Sequence, residues 1–188
     1  MGKARLEEGT PGPGERRVSE DQRELEGFDR RRSAGLFVGI GTYQDENLAS
    51  IPFAVDDAVD LAHLFLVELQ LIHESHTVLC LAGRPRKEET AEKLRRLEGQ
   101  GVEIRRPLQT EIYTLLERLG GRTNSKGLFL VAVASHGVSF EGADYLLAED
   151  SQRRRAARTG IAVAELFDEV AQARAPRQIV LLDACRDN

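Results

Sequence analysis

The chain has 188 residues, a formal net charge of −5 and 41% hydrophobic residues, a length that suits one compact domain with a sizeable core. Two cysteines cannot make a disulfide scaffold, no apolar run approaches the roughly 18 residues of a membrane span, and residues 1–6 lack a secretory h-region. The mildly acidic balance gives no electrostatic footprint for nucleic acid, so the expectation is a cytoplasmic protein of a reducing compartment with no nucleic-acid or membrane partner.

Residues 1–33 read as a charged extension, disordered or loosely helical, because apolar residues are sparse and Pro11, Gly12, Pro13 and Gly14 break any helix. A short helix is possible over 19–28, capped by Ser19. The domain proper spans 34–188. It opens with a continuous apolar run at 35–41, the signature of a strand covered on both faces. Val55, Ala58, Val59, Ala62, Phe65, Leu66 and Leu69 then recur at helical spacing. A second strand is predicted at 76–82, helices at 88–98 and 108–119, and a third strand at 127–134. Gly120 and Gly121 stand where the second of those helices should stop. A helix at 161–170 and a strand at 178–183 close the pattern. The order β-α-β-α-α-β-α-β predicts a three-layer α/β/α sandwich around a mostly parallel sheet.

In such sheets function gathers at the carboxyl ends of the strands. Gly39-Ile-Gly-Thr-Tyr43 is no dinucleotide fingerprint, since Gln44 stands where the third glycine belongs, and there is no phosphate loop. A flavodoxin-like ligand-binding domain is disfavoured on that ground. After the third strand comes Ser135-His136-Gly137, and after the fourth Asp183-Ala184-Cys185-Arg186. Parallel strands bring His136 and Cys185 to one edge, as a thiol nucleophile and its base require. Their separation, 185 − 136 = 49 residues, fits a histidine roughly 50 residues upstream of an Ala-Cys-Arg nucleophile. Cys80 lies inside a strand and reads as inert. His73 and His76 lack further ligands, and no dense acidic cluster suggests calcium, so neither metal nor cofactor is expected.

With Leu36-Phe-Val-Gly-Ile-Gly-Thr-Tyr43, Asp56-Asp57-Ala58, Ser135-His136-Gly137 and Leu182-Asp183-Ala184-Cys185-Arg186 in that order, residues 34–188 resemble the large-subunit portion of a caspase-like (C14, clan CD) cysteine peptidase. The likeness is to the bacterial and metacaspase side. The flanks depart from the caspase signature, with Asp183 and Asp187 in place of its Gln and Gly. The resemblance implies a caspase-hemoglobinase-like fold and a dyad of His136 as base and Cys185 as nucleophile. It also implies an oxyanion hole from the backbone N–H groups of Gly137 and Cys185. Residues 44–57 contain no arginine to hold a P1 aspartate. The resemblance instead matches Asp57 and Asp183 to acids that hold a P1 Arg or Lys, with Asp56 beside them; Asp56 and Asp57 also suit a helix N-terminus electrostatically. A protease with that preference would have processing sites in its own chain at Arg155, Arg158 and Arg32.

The chain stops three residues past Cys185. In the resembled family a small subunit follows, so the expected partners are a protein or peptide substrate and a small-subunit fragment or C-terminal continuation covering the last strand's open edge. The alternative is a non-catalytic caspase-fold interaction module, which has no need of both His136 and Cys185.

Overall fold

The computed structural model describes residues 27–186, Cys185 and Arg186 through their backbone. The strands and helices are β1 (Ala34–Ile40), α1 (Ala54–His63), β2 (Thr77–Ala82), α2 (Glu88–Gly99), β3 (Glu103–Arg105), α3 (Gln109–Arg122) and β4 (Leu128–Phe140). They continue with β5 (Ala143–Leu146), α4 (Ala156–Thr159), β6 (Ile161–Ala162), α5 (Val163–Ala171) and β7 (Arg177–Arg186). Seven strands among these residues make one sheet, with β3-β2-β1-β4 parallel and β7 parallel on the far side of β4. The expected α/β/α layering with a mostly parallel sheet is what the chain adopts.

The layers follow from strand periodicity. Leu36, Val38, Ile40, Phe129, Val131 and Val133 point to the face covered by α3 and α5. Phe37, Leu128, Leu130 and Ala132 point the other way, against Val55, Ala58, Val59 and Ala62 of α1 and Leu97 of α2. Gly39 shares that second face, where a Cβ would sit 2.5 Å from the Ala54 carbonyl oxygen. Glycine there lets the start of α1 lie directly on β1. Asp56 and Asp57 occupy the first turn of α1, where the helix dipole favours acids. The helix continues as a wider turn over Leu64–Glu68, with the Leu69 N–H reaching the Leu64 carbonyl, and Gln70 at φ 52° turns the chain away.

Several expectations are corrected. Gly120 and Gly121 do not end α3, which runs on to Arg122. Gly120 instead permits a close approach, since a Cβ would meet Ala173 at 3.3 Å and Phe129 at 3.6 Å. The helix expected from 161 starts at Val163, because Ile161 and Ala162 pair with β5 as a short strand. The third strand does not stop at Ala134 but continues through His136 and Gly137 to Phe140. There it turns at Glu141 (φ 51°) and Gly142 (φ 82°) into β5; two successive positive φ angles make the tight hairpin turn whose twist suits its strands. The last strand likewise runs past Asp183 to Arg186.

Folded chain reaches upstream of residue 34. Phe28 packs on the α1-side core, the Asp29 N–H bonds the Lys126 carbonyl, and the Leu128 N–H bonds Ser33 Oγ. The expectations for residues 1–26 fall outside the described residues. No helix among those described is long and apolar enough to cross a membrane.

Candidate active site

β4 and β7 run parallel in unbroken register from Leu128↔Arg177 to Gly137↔Arg186, which places His136 directly opposite Cys185. The two residues singled out by sequence are therefore neighbours across a strand pair, inside the strands rather than beyond their ends.

His136 is held from three directions. Its Nε2 lies 2.8 Å from the Ala49 carbonyl oxygen, in the β1–α1 connection. A carbonyl only accepts, so Nε2 carries the hydrogen and, in the neutral ring, Nδ1 carries the lone pair. Its backbone N–H donates to Tyr43 Oη at 2.9 Å. The Tyr43 ring stacks on the imidazole, centroids 5.3 Å apart and planes inclined by 28°. Burial pushes the Tyr43 phenol up to about 12, against a smaller opposing effect of the His136 N–H bond. Neither the role of Tyr43 nor that of Ala49 is legible in the sequence motifs. An exposed alanine carbonyl leaves no sequence signal, whereas an aromatic just after a buried strand could have been noted.

The His136 carbonyl accepts the Leu147 N–H at 2.8 Å. Both backbone groups of His136 are thus used on the β1/β5 side of β4, and strand alternation turns the Gly137 N–H to the β7 side.

Beside this edge, between α1 and β7, lies a groove of about 570 Å³. Leu61, Leu64, Ala132 and Leu181 give it apolar walls, and Asp57, Asp60 and Asp183 supply its acids. Asp57 and Asp183 come close enough to repel. The Asp57 carboxyl is raised above its ordinary range, chiefly by burial and next by the Asp183 charge, with Lys87 opposing. Asp60 is engaged by Lys93 at 3.0 Å and by the Thr90 hydroxyl at 3.2 Å.

Asp56 is not part of this groove. It is fully buried, and its carboxylate accepts the backbone N–H of Lys87 at 2.9 Å and that of Arg86 at 3.0 Å. It ties α1 to the entrance of α2, whose own N-cap residue makes no side-chain capping bond. The resemblance-based place for Asp56 beside a substrate is corrected: an α-helix turns about 100° per residue, so adjacent acids cannot share one face.

Arg155 and Arg158 are exposed but do not lie in an open loop. They belong to consecutive helical turns, Arg153–Arg155 and Ala156–Thr159. The Arg153 N–H donates to Asp45, and Gln109 Nε2 donates to the Gly160 carbonyl at 2.6 Å. Arg32 is also exposed, in a short turn capped by Asp29. The Cys80 thiol is buried and pushed up to about 12, mainly by desolvation and then by Glu111 and Glu103. Among the described residues, no group of three or more His, Cys, Asp or Glu side chains could hold a metal ion.

No protein-family model matches the sequence, and no curated protein matches it. Among solved structures, the crystal structure of the Drosophila initiator caspase Dronc aligns with 94% of this chain at 17% sequence identity and a TM-score of 0.45. The alignment covers 61% of the Dronc chain, so this chain spans less than two thirds of that structure's length.

Proposed function

We propose that the chain is the nucleophile-bearing part of a caspase- or metacaspase-like cysteine endopeptidase that cleaves after Arg or Lys. The observation that carries this reading is the strand register setting His136 opposite Cys185. A free thiol near pKa 8.5 is only a few per cent ionised at neutral pH, so a nearby imidazole is the activating partner the chemistry calls for. His136, with its hydrogen on Nε2, takes the thiol proton at Nδ1 and later delivers it to the leaving amine. Cys185 Sγ attacks the scissile carbonyl, and the thioester that follows is hydrolysed by water.

The backbone N–H groups of Gly137 and Cys185 serve as oxyanion donors. The Gly137 N–H faces β7, whose register runs one pair beyond Cys185. A substrate oxygen takes that donor in place of its ladder partner at this end of β7. Losing one such donor costs roughly 3 kcal/mol of barrier in known enzymes.

For specificity, Asp57 and Asp183, with the groove's other acid Asp60 taken by Lys93, suit a long cationic side chain: methylenes against the leucines, charge against the carboxylates. A P1 Asp would bring a further negative charge against Asp57 and Asp183. Fluorogenic peptides differing only at P1 test this. Cleavage after Arg and Lys, lost on Asp57→Asn, supports the assignment, and a clear preference for Asp at P1 refutes it.

The partners in this reading are a protein or peptide substrate and a small-subunit fragment or C-terminal continuation, with regulated proteolysis or cell-death-type signalling in the cytoplasm as the setting. Arg155, Arg158 and Arg32 are the processing sites. Incubating wild-type and Cys185→Ala protein and sequencing the new N-termini checks them; identical intact chains in both end the idea.

A second reading, a non-catalytic interaction module, is favoured by one observation. β7 pairs only with β4 among the described strands, and Leu181 and Leu182 are each 37% exposed. A half-bare apolar edge strand is a ready template for another chain.

A further inference from the structure

We propose that Tyr43 is a positioning residue for His136, a role that rests on reading His136 as the general base. The β1–β4 ladder ends at Gly39↔Ala134, and the β4–β5 ladder begins at Gly137↔Leu146. Between them β4 has no strand neighbour on that side, and the His136 N–H falls in the gap. Tyr43 Oη fills it, accepting that N–H at 2.9 Å as a strand carbonyl would.

The same ring lies against the imidazole. One side chain thus fixes both the backbone and the ring plane of the residue, while the Ala49 carbonyl fixes the ring's hydrogen on Nε2. Tyr43 is itself rigidly mounted. The Thr42 N–H before it bonds the Ala82 carbonyl at 3.2 Å, and the Gln44 N–H after it bonds the Glu149 carbonyl at 2.9 Å. With its phenol pushed up to about 12, the hydroxyl stays neutral throughout the working range of a thiol protease.

The residues lining the acidic groove do not include Tyr43, whose ring and hydroxyl meet His136 instead. A change at Tyr43 therefore acts on chemistry and leaves P1 binding alone. Misplacing a catalytic group by about 1 Å costs on the order of 100-fold in rate. Tyr43→Phe keeps the stacked ring and loses only the acceptor; Tyr43→Leu loses both.

The test uses the full-length protein, an Arg-P1 peptide and both variants, with urea midpoints to confirm folding. The expected result is a kcat about tenfold lower for Tyr43→Phe and about 100-fold lower for Tyr43→Leu, with KM within about twofold. A second readout needs no turnover: because the Nε2–H bond to Ala49 requires the ring plane that Tyr43 holds, long-range proton–nitrogen NMR should show His136 as a single Nε2–H tautomer in wild type and as a mixture in Tyr43→Leu. Wild-type kcat in both variants, or an unchanged tautomer signal in Tyr43→Leu, overturns the positioning role. A wild-type protein that neither cleaves the peptide nor shows His136-dependent Cys185 reactivity instead sinks the peptidase reading, and the tautomer measurement still decides what Tyr43 does to the ring.

Discussion

Replacing Asp56 and Asp57 one at a time should separate two roles that adjacent identical residues hide. Asp56 is fully buried, and its carboxylate holds the backbone N–H groups of Arg86 and Lys87. Hydrogen bonds to a charged group contribute about 1.5–3 kcal/mol each, so two donors set a ceiling near 6 kcal/mol. Arg86 and Lys87 are themselves exposed, so water entering the vacated site offsets part of this. Asp56→Ala should then cost about 3 kcal/mol. Asp57 is repelled by Asp183, Asp56 and Asp60, and Asp57→Ala should leave stability within about 0.5 kcal/mol of wild type. Urea unfolding reads both. At a slope of about 2 kcal/mol/M the Asp56 variant loses roughly 1.5 M of midpoint with unchanged m, while the Asp57 variant does not move. Equal midpoints for the two variants would refute the assignment of Asp56 to the α1–α2 tie and of Asp57 to the groove.

Asp57 also carries a pH signature. Its folded pKa is raised by burial and by Asp183, so between the unfolded carboxylate range and that raised value the native state holds more protons, and stability falls as pH rises. Asp57→Asn removes this, so its midpoint relative to wild type should climb from acid pH upward and then level off; a pH-independent difference contradicts the coupling. Gly39→Ala forces a methyl to 2.5 Å from the Ala54 carbonyl oxygen and should destabilise by at least about 2 kcal/mol, whereas Gly121→Ala, with nothing within 4 Å of the new methyl, should stabilise α3 by about 0.5–1 kcal/mol; thermal unfolding distinguishes them, and a tolerated Gly39→Ala is the failing result. Because the Cys80 thiol is buried and raised to about 12, brief iodoacetamide treatment of native protein should alkylate Cys185 and spare Cys80 until denaturant is added; early modification of Cys80, mapped by mass spectrometry, contradicts this.

The sequence made the layers readable because the buried strands are nearly unbroken apolar runs and α1 keeps strict helical spacing. It also put His136 and Cys185 on one sheet edge. What it hid has physical reasons. β3 is three residues, Glu103–Arg105, with one apolar side chain, and is held partly by the bonds of Arg105 and Arg118 to Glu103. The β4–β5 hairpin turns at Glu141-Gly142, a weaker signal than Asn-Gly or Asp-Gly. Gly120 reads as a stop signal because close packing against Ala173 and a helix end demand the same residue type. Asp56 and Asp57 look alike in sequence and part company only because one turns into a neighbouring loop and the other toward β7. Ala49 could not have been found, since its contribution is a main-chain oxygen.

The most direct measurement is to treat the full-length protein with an Arg-directed acyloxymethyl ketone and map the adduct by mass spectrometry. A thioether at Cys185, absent in His136→Ala, is the expected result and reports the activated thiol and the basic P1 site together. Labelling of Cys185 by an Asp-directed probe alone would keep the peptidase and discard the acidic groove as its specificity site; no labelling by either probe would contradict the peptidase reading and leave the interaction module.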